Sequence, residues 1–215
     1  MIIKEVALEN FTNVPKAIHA GANRIELCDN LAVGGTTVSK GVMAETQKYA
    51  NEHHIPVMAM IRPRGGDFVY TDTELKIMET DVFQAQELGM DGVVFGALNE
   101  DGSLDTDALE MLIAAAGGMQ ITFHMAFDAI SKAKQAESID WLADAGIDRI
   151  LTHGGALDTP LASHYADLKQ TIADAHQRLI ILPGGGITSD NLTEVTNELG
   201  VFEAHGSKIV GKLEN

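Results

Sequence analysis

Two arginines and two glycines, Arg62, Arg64, Gly65 and Gly66, follow an apolar run at residues 56–61 that predicts a buried strand. In a chain with a formal net charge of -16, they form a local excess of positive charge. Guanidinium groups match the geometry of carboxylate and phosphate oxygens, and glycine lets the backbone approach them. The stretch therefore indicates an anion site with Arg62 and Arg64 as ligands. The alternative is a solvated loop whose arginines pair with nearby carboxylates.

Two glycine loops strengthen the prediction of an anionic ligand. They occupy residues 182–187 and 205–208, after the seventh and eighth predicted strands. Loops at these two places build the phosphate site of many parallel barrels, because bare backbone N–H groups point at the ligand. The glycines can instead serve tight turns. The candidate ligands in these loops are Gly184, Gly185, Gly186, Gly206 and Ser207.

Four polar residues are candidates for general acid/base catalysis. Glu26 ends one predicted strand, Arg62 follows another, and His124 and Asp128 follow a third. In this hypothesis the histidine moves a proton and the arginine holds an oxyanion. The alternative is that the histidine is a hydrogen-bonded core group.

The elements that must position these residues form an alternating pattern. Short apolar runs rich in branched residues predict strands, and the segments between them have helical spacing, as in residues 73–88, where Thr73 is the predicted N-cap. Eight strands with helical crossovers predict a closed parallel (β/α)8 barrel, the TIM barrel, which forms a single α/β domain over residues 1–215. The strands are predicted at residues 3–8, 24–28, 56–61, 92–95, 120–124, 149–152, 179–182 and 201–205.

Strand alternation predicts a charged barrel interior. A weak repeat, at residues 20–25, 88–93 and 145–150, places a helix end, a glycine and a strand start in the same order three times. Side chains of alternate residues then point inward. The alternative to a binding site is a self-satisfied network that needs no ligand. It would join Glu5, Glu26 and Glu203 to Arg24 and Arg62.

Composition limits the partners. The 31 acidic against 15 basic residues argue against nucleic acid or an anionic membrane. Charged residues at positions 4 and 5 argue against a signal peptide, no apolar run reaches membrane-spanning length, and the single cysteine suits the cytoplasm. The chain stops soon after the eighth strand, which predicts a truncated or missing eighth helix. A partner subunit can cover that flank, so we expect a homo-oligomer.

The order of the motifs resembles the CutC copper homeostasis proteins. The resemblance lies in Cys28, residues 34–41, the arginine stretch up to Tyr70, residues 91–96, residues 122–128 and residues 182–187. It covers nearly the whole chain and implies a TIM barrel, a cytoplasmic location and a role in copper handling. The sequence departs from the family at Met125, where an arginine is usual, which removes a positive charge from the predicted barrel mouth.

Copper(I) prefers soft thiolate and thioether ligands, and it accepts imidazole. Cys28 ends a strand, His153 takes the matching place in the repeat, and His205 ends the eighth strand, so these three are the candidate metal ligands. Met58, Met60 and Met125 are further soft donors. Against copper, the chain has one cysteine, and methionine in a barrel often only fills space.

Two classes of function stay open. The first is a cytosolic protein that binds or traffics Cu(I), which the resemblance favours and which we adopt. The second is a TIM-barrel enzyme that uses acid/base chemistry on a small anionic or phosphorylated metabolite, and whether the protein is an enzyme is left undecided. No organic cofactor is evident.

Overall fold

Eight parallel strands form the barrel in the computed structural model, which describes residues 2–213. The eight predicted strands are confirmed, with ends that differ by at most two residues from the prediction. The strands are β1 Ile3–Glu9, β2 Arg24–Cys28, β3 Val57–Met60, β4 Gly92–Phe95, β5 Gln120–Phe123, β6 Arg149–Thr152, β7 Ile180–Pro183 and β8 Glu203–His205.

Seven α-helices connect the strands in residues 2–213, one after each of the first seven. They are α1 Val14–His19, α2 Lys40–Glu52, α3 Asp72–Glu87, α4 Thr106–Ala116, α5 Lys132–Asp144, α6 Tyr165–Asp174 and α7 Leu192–Leu199. No helix follows β8 within the described residues, which agrees with the predicted loss of the eighth helix. None of the described helices is long and apolar enough to cross a membrane.

The strands lie in the order β7-β6-β5-β4-β3-β2-β1-β8. Parallel pairing aligns Glu5 of β1 with Arg24 of β2 on one side and with His205 of β8 on the other. Between β7 and β8 the barrel is joined beyond the strand ends, where Thr188 and Lys208 form a parallel bridge. The register therefore places inward-facing charged residues of β1, β2 and β8 at one level.

Helix α3 shows how local sequence fixes one element. Its N-cap is Thr71 and not Thr73 as predicted, because the Thr71 side chain accepts a hydrogen bond from the Glu74 backbone and Glu74 reaches back to the Thr71 N–H. This reciprocal capping box satisfies two N–H groups that the first helical turn leaves free. Met78 and Val82, one turn apart, are fully buried against the barrel.

The apolar core lies between the strands and the helices. Ile25 and Leu27 of β2 belong to it, and the alternate residues Arg24, Glu26 and Cys28 occupy the barrel interior. All five are buried. The predicted alternation is confirmed for this strand, and it places polar groups where a purely structural barrel has branched apolar side chains.

Candidate functional site

The amino-terminal part of the barrel interior holds a network of charged residues. Arg24 donates from Nε to Glu5 and from Nη2 to Glu203 Oε2, the latter at 2.7 Å. Arg149 donates from Nε to the same Glu203 oxygen at 3.3 Å and from Nη2 to Gln120 Oε1 at 2.7 Å. Two guanidiniums therefore face two carboxylates. We call Glu5, Arg24, Gln120, Arg149 and Glu203 the paired layer.

His205 links the paired layer to Glu26. Its Nδ1 lies 2.8 Å from Glu5 Oε1 and its Nε2 lies 3.7 Å from Glu26 Oε2. Burial raises the pKa of Glu5, but Arg24 and His205 outweigh burial and hold it at about 2. Burial lowers the pKa of His205, but Glu26 and Glu5 outweigh burial and raise it. His205 is therefore suited to be an imidazolium between two carboxyl groups.

A cavity of about 520 Å³ opens above this level, at the carboxyl ends of the strands. Its polar walls come from Glu26, Arg62, His124, His205, Ser207 and Lys208. Its apolar walls include Leu31, Met60, Phe68, Met125, Leu151, Leu157 and Ile187. We call it the mouth cavity. The structure thus brings Glu26, Arg62 and His124 to one place, together with both glycine loops.

Arg62 is buried in the wall of the mouth cavity. Its Nη1 donates to the carbonyls of Val33 at 2.7 Å and Gly35 at 3.1 Å, and its Nη2 donates to the Gly66 carbonyl at 2.8 Å. Its Nε has no partner among the described residues. All three acceptors are neutral, so no carboxylate of the described chain compensates this charge.

His124 is also buried, and only one of its ring nitrogens is satisfied. Nδ1 accepts a hydrogen bond from the Ala126 N–H at 3.2 Å, so the neutral ring carries its proton on Nε2, and Nε2 has no partner among residues 2–213. Burial, and next the positive charge of Arg62, lower the pKa of His124 to about 3. The Phe68 ring lies 4.9 Å from the imidazole and 5.0 Å from the Arg62 Cζ. His124 is therefore a fixed neutral donor.

Glu26 has two oxygens in different surroundings. Oε2 accepts from the Cys28 thiol at 3.4 Å, and Oε1 is buried without a partner in the described chain. Burial raises the pKa of Glu26, an effect that the nearby His205 opposes and Glu5 reinforces. A raised pKa makes a carboxyl group hold its proton more readily than an ordinary carboxyl group does, which suits a general acid or base.

The glycine loops line the mouth cavity as predicted, except at one position. Gly185, Gly186, Gly206 and Ser207 form its wall, but the Gly184 carbonyl instead faces His153 Nδ1 at 3.0 Å. Gly185 has a φ of +84°, and a Cβ built there would lie 2.5 Å from His153 Nδ1. Glycine is therefore required at this turn whether or not a ligand binds.

Asp128 and Arg64, predicted for catalysis and for anion binding, also lie outside the mouth cavity. Asp128 accepts from Thr152 Oγ1 at 2.5 Å and from the His153 N–H at 2.9 Å, so it joins the end of β5 to the end of β6. Arg64 pairs with Glu74 at 2.5 Å and Asp67 at 3.0 Å on the outer loop. Arg64 therefore follows the alternative given for this stretch, in which the arginines pair with nearby carboxylates.

The three candidate metal ligands are not brought together. His153 faces the carbonyls of Gly184 and Thr159, each at 3.0 Å, while Cys28 is buried beside Glu26. Among residues 2–213, the cluster of three His, Cys, Asp or Glu side chains with ligand atoms within 4.8 Å of one another consists of Glu5, Glu26 and His205. The matching positions of Cys28 and His153 in the repeat predict that both side chains point into the barrel. They do not predict the distance between the two side chains.

Cys28 lies in a small apolar cluster inside the barrel. Its neighbours are Met58, Met60, Val94 and the partly buried Leu31. Burial, and next Glu26, raise the pKa of the Cys28 thiol well above its ordinary value, so the thiol stays protonated. We call Cys28, Met58 and Met60 the sulfur cluster.

Two further residues of the cavity wall, Phe68 and Lys208, were not predicted from the sequence. Phe68 belongs to the arginine stretch and Lys208 to the second glycine loop. Their place in these two predicted segments is the feature of the sequence that could have identified them. Lys208 has no ion pair within the described part of the chain.

Comparison with known proteins, by sequence and by structure, finds the same family each time. A model of the CutC family matches residues 2–210. Family protein CutC of Enterococcus faecalis is 59% identical over 209 residues, which cover 97% of this chain and 100% of the relative. Copper homeostasis protein cutC homolog of Mus musculus is 40% identical over 205 residues, which cover 95% of this chain and 73% of the relative. The crystal structure of a CutC protein from Streptococcus agalactiae has a TM-score of 0.94 and 45% identity, and the match covers 97% of this chain and 100% of that one.

Proposed function

Because this chain belongs to the CutC family, we propose that it acts in copper homeostasis by binding Cu(I) at the sulfur cluster of Cys28, Met58 and Met60. The name of the mouse relative supports the copper role. The ligand set differs from the one predicted from sequence, because the soft donors near Cys28 are thioethers and not His153.

The sulfur cluster matches the ligand preference of Cu(I). Thiolate and thioether sulfurs select this soft ion over harder divalent metals. Cys28 and Met58 are fully buried, and Met60 lies both in this cluster and in the wall of the mouth cavity. An ion that enters the mouth cavity thus meets Met60 before it reaches Cys28.

The contact between the Cys28 thiol and Glu26 carries the proposal. A metal binds the thiolate, so the thiol must lose its proton. Glu26 Oε2 lies 3.4 Å from Sγ, and burial raises the pKa of this carboxyl group, so Glu26 can accept that proton. Cu(I) then takes the place of that proton on the sulfur, and once Glu26 has released the proton to solvent the buried site has the same net charge as before.

An anaerobic titration of Cu(I) against a calibrated chromophoric chelator tests the proposal. We expect one Cu(I) per chain in the native protein and loss of tight binding in Cys28→Ser. Met60→Leu should weaken binding by about tenfold, the equivalent of about 1.4 kcal/mol. Met78→Leu, a matched change at a buried methionine of α3 outside the barrel interior, should have no effect on copper affinity.

Two results would contradict the sulfur cluster. Tight binding that persists in Cys28→Ser would make copper an adventitious ligand of other residues. Binding that is lost in His153→Gln but kept in Met60→Leu would restore the ligand set predicted from sequence. His153→Gln is therefore measured beside the methionine variants.

A second function, acid/base catalysis on a small anionic metabolite, is favoured by a separate observation. Glu26, Arg62 and His124 line one cavity, and each has a buried polar atom without a partner in residues 2–213. In this function Glu26 transfers the proton, and the neutral His124 and the charged Arg62 stabilise an oxyanion. Asp128 has no role in it, because its oxygens are occupied at β6.

The surroundings of this function are also proposals. We place the protein in the cytoplasm, since a single thiol suits a reducing compartment.

We expect a homo-oligomer, because no helix covers the flank after β8 in the described chain, and Phe202 beside it is 74% exposed. Sedimentation velocity of the native protein and of Phe202→Ser tests this, and a monomer in both would contradict it.

A further inference from the structure

Beside the proposed copper ligand Met60, the mouth cavity holds polar groups that are not copper ligands. We propose that it binds a small organic oxyanion, a carboxylate or phosphate monoester that also carries a hydroxyl group, through Arg62, His124 and Glu26. This proposal is independent of copper binding, and the catalytic function above would require it.

Arg62 differs from the other arginines of the chain in its partners. The chain has five arginines, and four of them, Arg24, Arg64, Arg149 and Arg178, form ion pairs with carboxylates. Arg62 forms none with any described residue, although it is 4% exposed. A buried charge without a counter-ion is costly, so a site that keeps one is suited to an anion from outside the chain.

Two residues of this wall have buried donors that no described residue uses, and such donors suit an oxyanion. Three of the five guanidinium N–H groups of Arg62 are used by carbonyls, and Nε–H is among those that remain. His124 adds its Nε2–H, which stays on the neutral ring over the working pH range because of its low pKa. The two side chains flank the same Phe68 ring, which lies 4.9 Å from the imidazole and 5.0 Å from the Arg62 Cζ.

Glu26 and the apolar walls define the rest of the ligand. Oε1 of Glu26 is a buried acceptor without a partner in the described chain, and it needs a hydroxyl or similar donor. Leu31, Met60 and Leu151 supply apolar wall between the polar groups, which fits a short carbon skeleton. A cavity of about 520 Å³ lies within the range of small-molecule sites.

The opposite wall gives phosphate a place as well. Gly185, Gly186 and Ser207 line it, and their backbone N–H groups donate to no described residue. Lys208 adds a cation without an ion pair in the described chain. A phosphate ester can therefore place its phosphate on this wall and an oxygen of its skeleton against Arg62 and His124.

Calorimetric titration of the full chain with three probes tests the proposal. The probes are glycolate, glycerol 3-phosphate and inorganic phosphate, with sodium chloride at matched ionic strength as the blank. We expect saturable binding of at least one probe that carries both an oxyanion and a hydroxyl. The carboxylate and phosphate arms separate the two sources of the oxyanion, and no saturable binding of any probe would overturn the proposal.

Substitutions locate the site. Arg62→Met should weaken the bound probe by about 10- to 100-fold, the loss expected for a charged hydrogen bond. Arg178→Met removes another arginine, one that pairs with Asp140 and Asp144 away from the mouth cavity, and should leave the affinity unchanged. Equal affinity in Arg62→Met and the native protein would overturn the proposal.

Arg62 also holds three backbone carbonyls, so two readouts do not depend on that variant. His124→Gln should weaken the probe by a similar factor. In the unsubstituted protein with 15N-labelled histidine, the probe should shift the His124 ring signals and leave those of the exposed His53 unchanged. An unshifted His124 at saturation would contradict the site. Because these experiments measure binding without turnover or copper, their failure would remove the catalytic function as well but leave the copper function standing, whereas binding without turnover would contradict the catalytic function alone.

Discussion

The two ends of the barrel interior use the same side chains in opposite ways. In the paired layer, Arg24 contacts the carboxylates of Glu5 and Glu203. In the mouth cavity, Arg62 is equally buried but contacts backbone carbonyls, the Phe68 ring and Tyr70 and forms no ion pair with a described residue, and Glu26 keeps one oxygen without a partner in the described chain. Burial of a charged side chain is therefore not by itself evidence for a binding site, whereas burial of a charged side chain without a counter-ion is such evidence.

The difference follows from position along the strands. Loops at the carboxyl ends can be reshaped around a ligand, while the amino-terminal end serves stability. The paired layer is not fully hydrogen-bonded, since Arg149 Nη1 has no partner among the described residues, but each of its charges faces an opposite one. Four predictions separate a region built for stability from one built for binding.

The largest expected effect is on the paired layer. Arg24→Met leaves Glu5 and Glu203 buried without their common cation, and we expect a loss of about 3–5 kcal/mol in the free energy of unfolding. Urea denaturation monitored by the fluorescence of Trp141 measures it. A loss below about 1 kcal/mol would show that these charges are dispensable for stability, contrary to the comparison.

The second prediction concerns pH. The pKa of His124 is about 3 in the folded chain against an ordinary 6.5, so the unfolded chain binds more protons and stability falls as the pH drops from 6.5 towards 3. The pKa of Glu5 is about 2 against 4.5, so its contribution is lost only as the pH falls from 4.5 towards 2. The His124 shift is worth on the order of a few kcal/mol.

Urea denaturation at a series of pH values checks this. His124→Gln should lose the part of the slope that His124 contributes between pH 6.5 and about 3, and keep the part that Glu5 contributes below pH 4.5. The upper window, between pH 6.5 and 4.5, lies above the Glu5 contribution and isolates that of His124. His205, whose pKa is raised, contributes the opposite slope near neutral pH and is the same in both proteins. A variant with the native slope in the upper window would contradict the assignment of a neutral His124.

The third prediction is a smaller effect at the mouth. Arg62→Met removes three hydrogen bonds but also an uncompensated buried charge, and water can reach the exposed Val33 and Gly66 loops. We expect a loss of about 1–2 kcal/mol in the free energy of unfolding. A loss as large as that of Arg24→Met would place Arg62 among the structural residues.

The smallest effect is expected at Arg64. Its ion pairs with Asp67 and Glu74 lie on a partly exposed loop, so Arg64→Met should cost less than about 1 kcal/mol and leave the affinity for oxyanions unchanged. The same denaturation and calorimetry measure both quantities. A lower affinity for the oxyanion in Arg64→Met would show that Arg64 is a ligand, as the sequence predicted.

Much of the interior could be predicted because strand alternation is a local property. Alternation predicted a charged interior that contains Glu5, Arg24, Glu26 and Arg62, and all four are buried. The predicted alternative, one self-satisfied network, holds for Glu5, Arg24 and Glu203 but not for Arg62. The spacing of residues along a strand does not predict their level along the barrel axis. That level is what separates the paired layer from the mouth cavity.

The sequence by itself determined the eight strands, the missing helix after β8 in the described chain and the family, since each depends on residue order and local periodicity. Only the tertiary structure decided which inward-facing groups meet. Strand register puts Arg24 between two carboxylates, and loop conformation turns Asp128 and His153 towards backbone groups. These are distances between residues far apart in the chain, and they are fixed by how the strands stagger as the barrel closes.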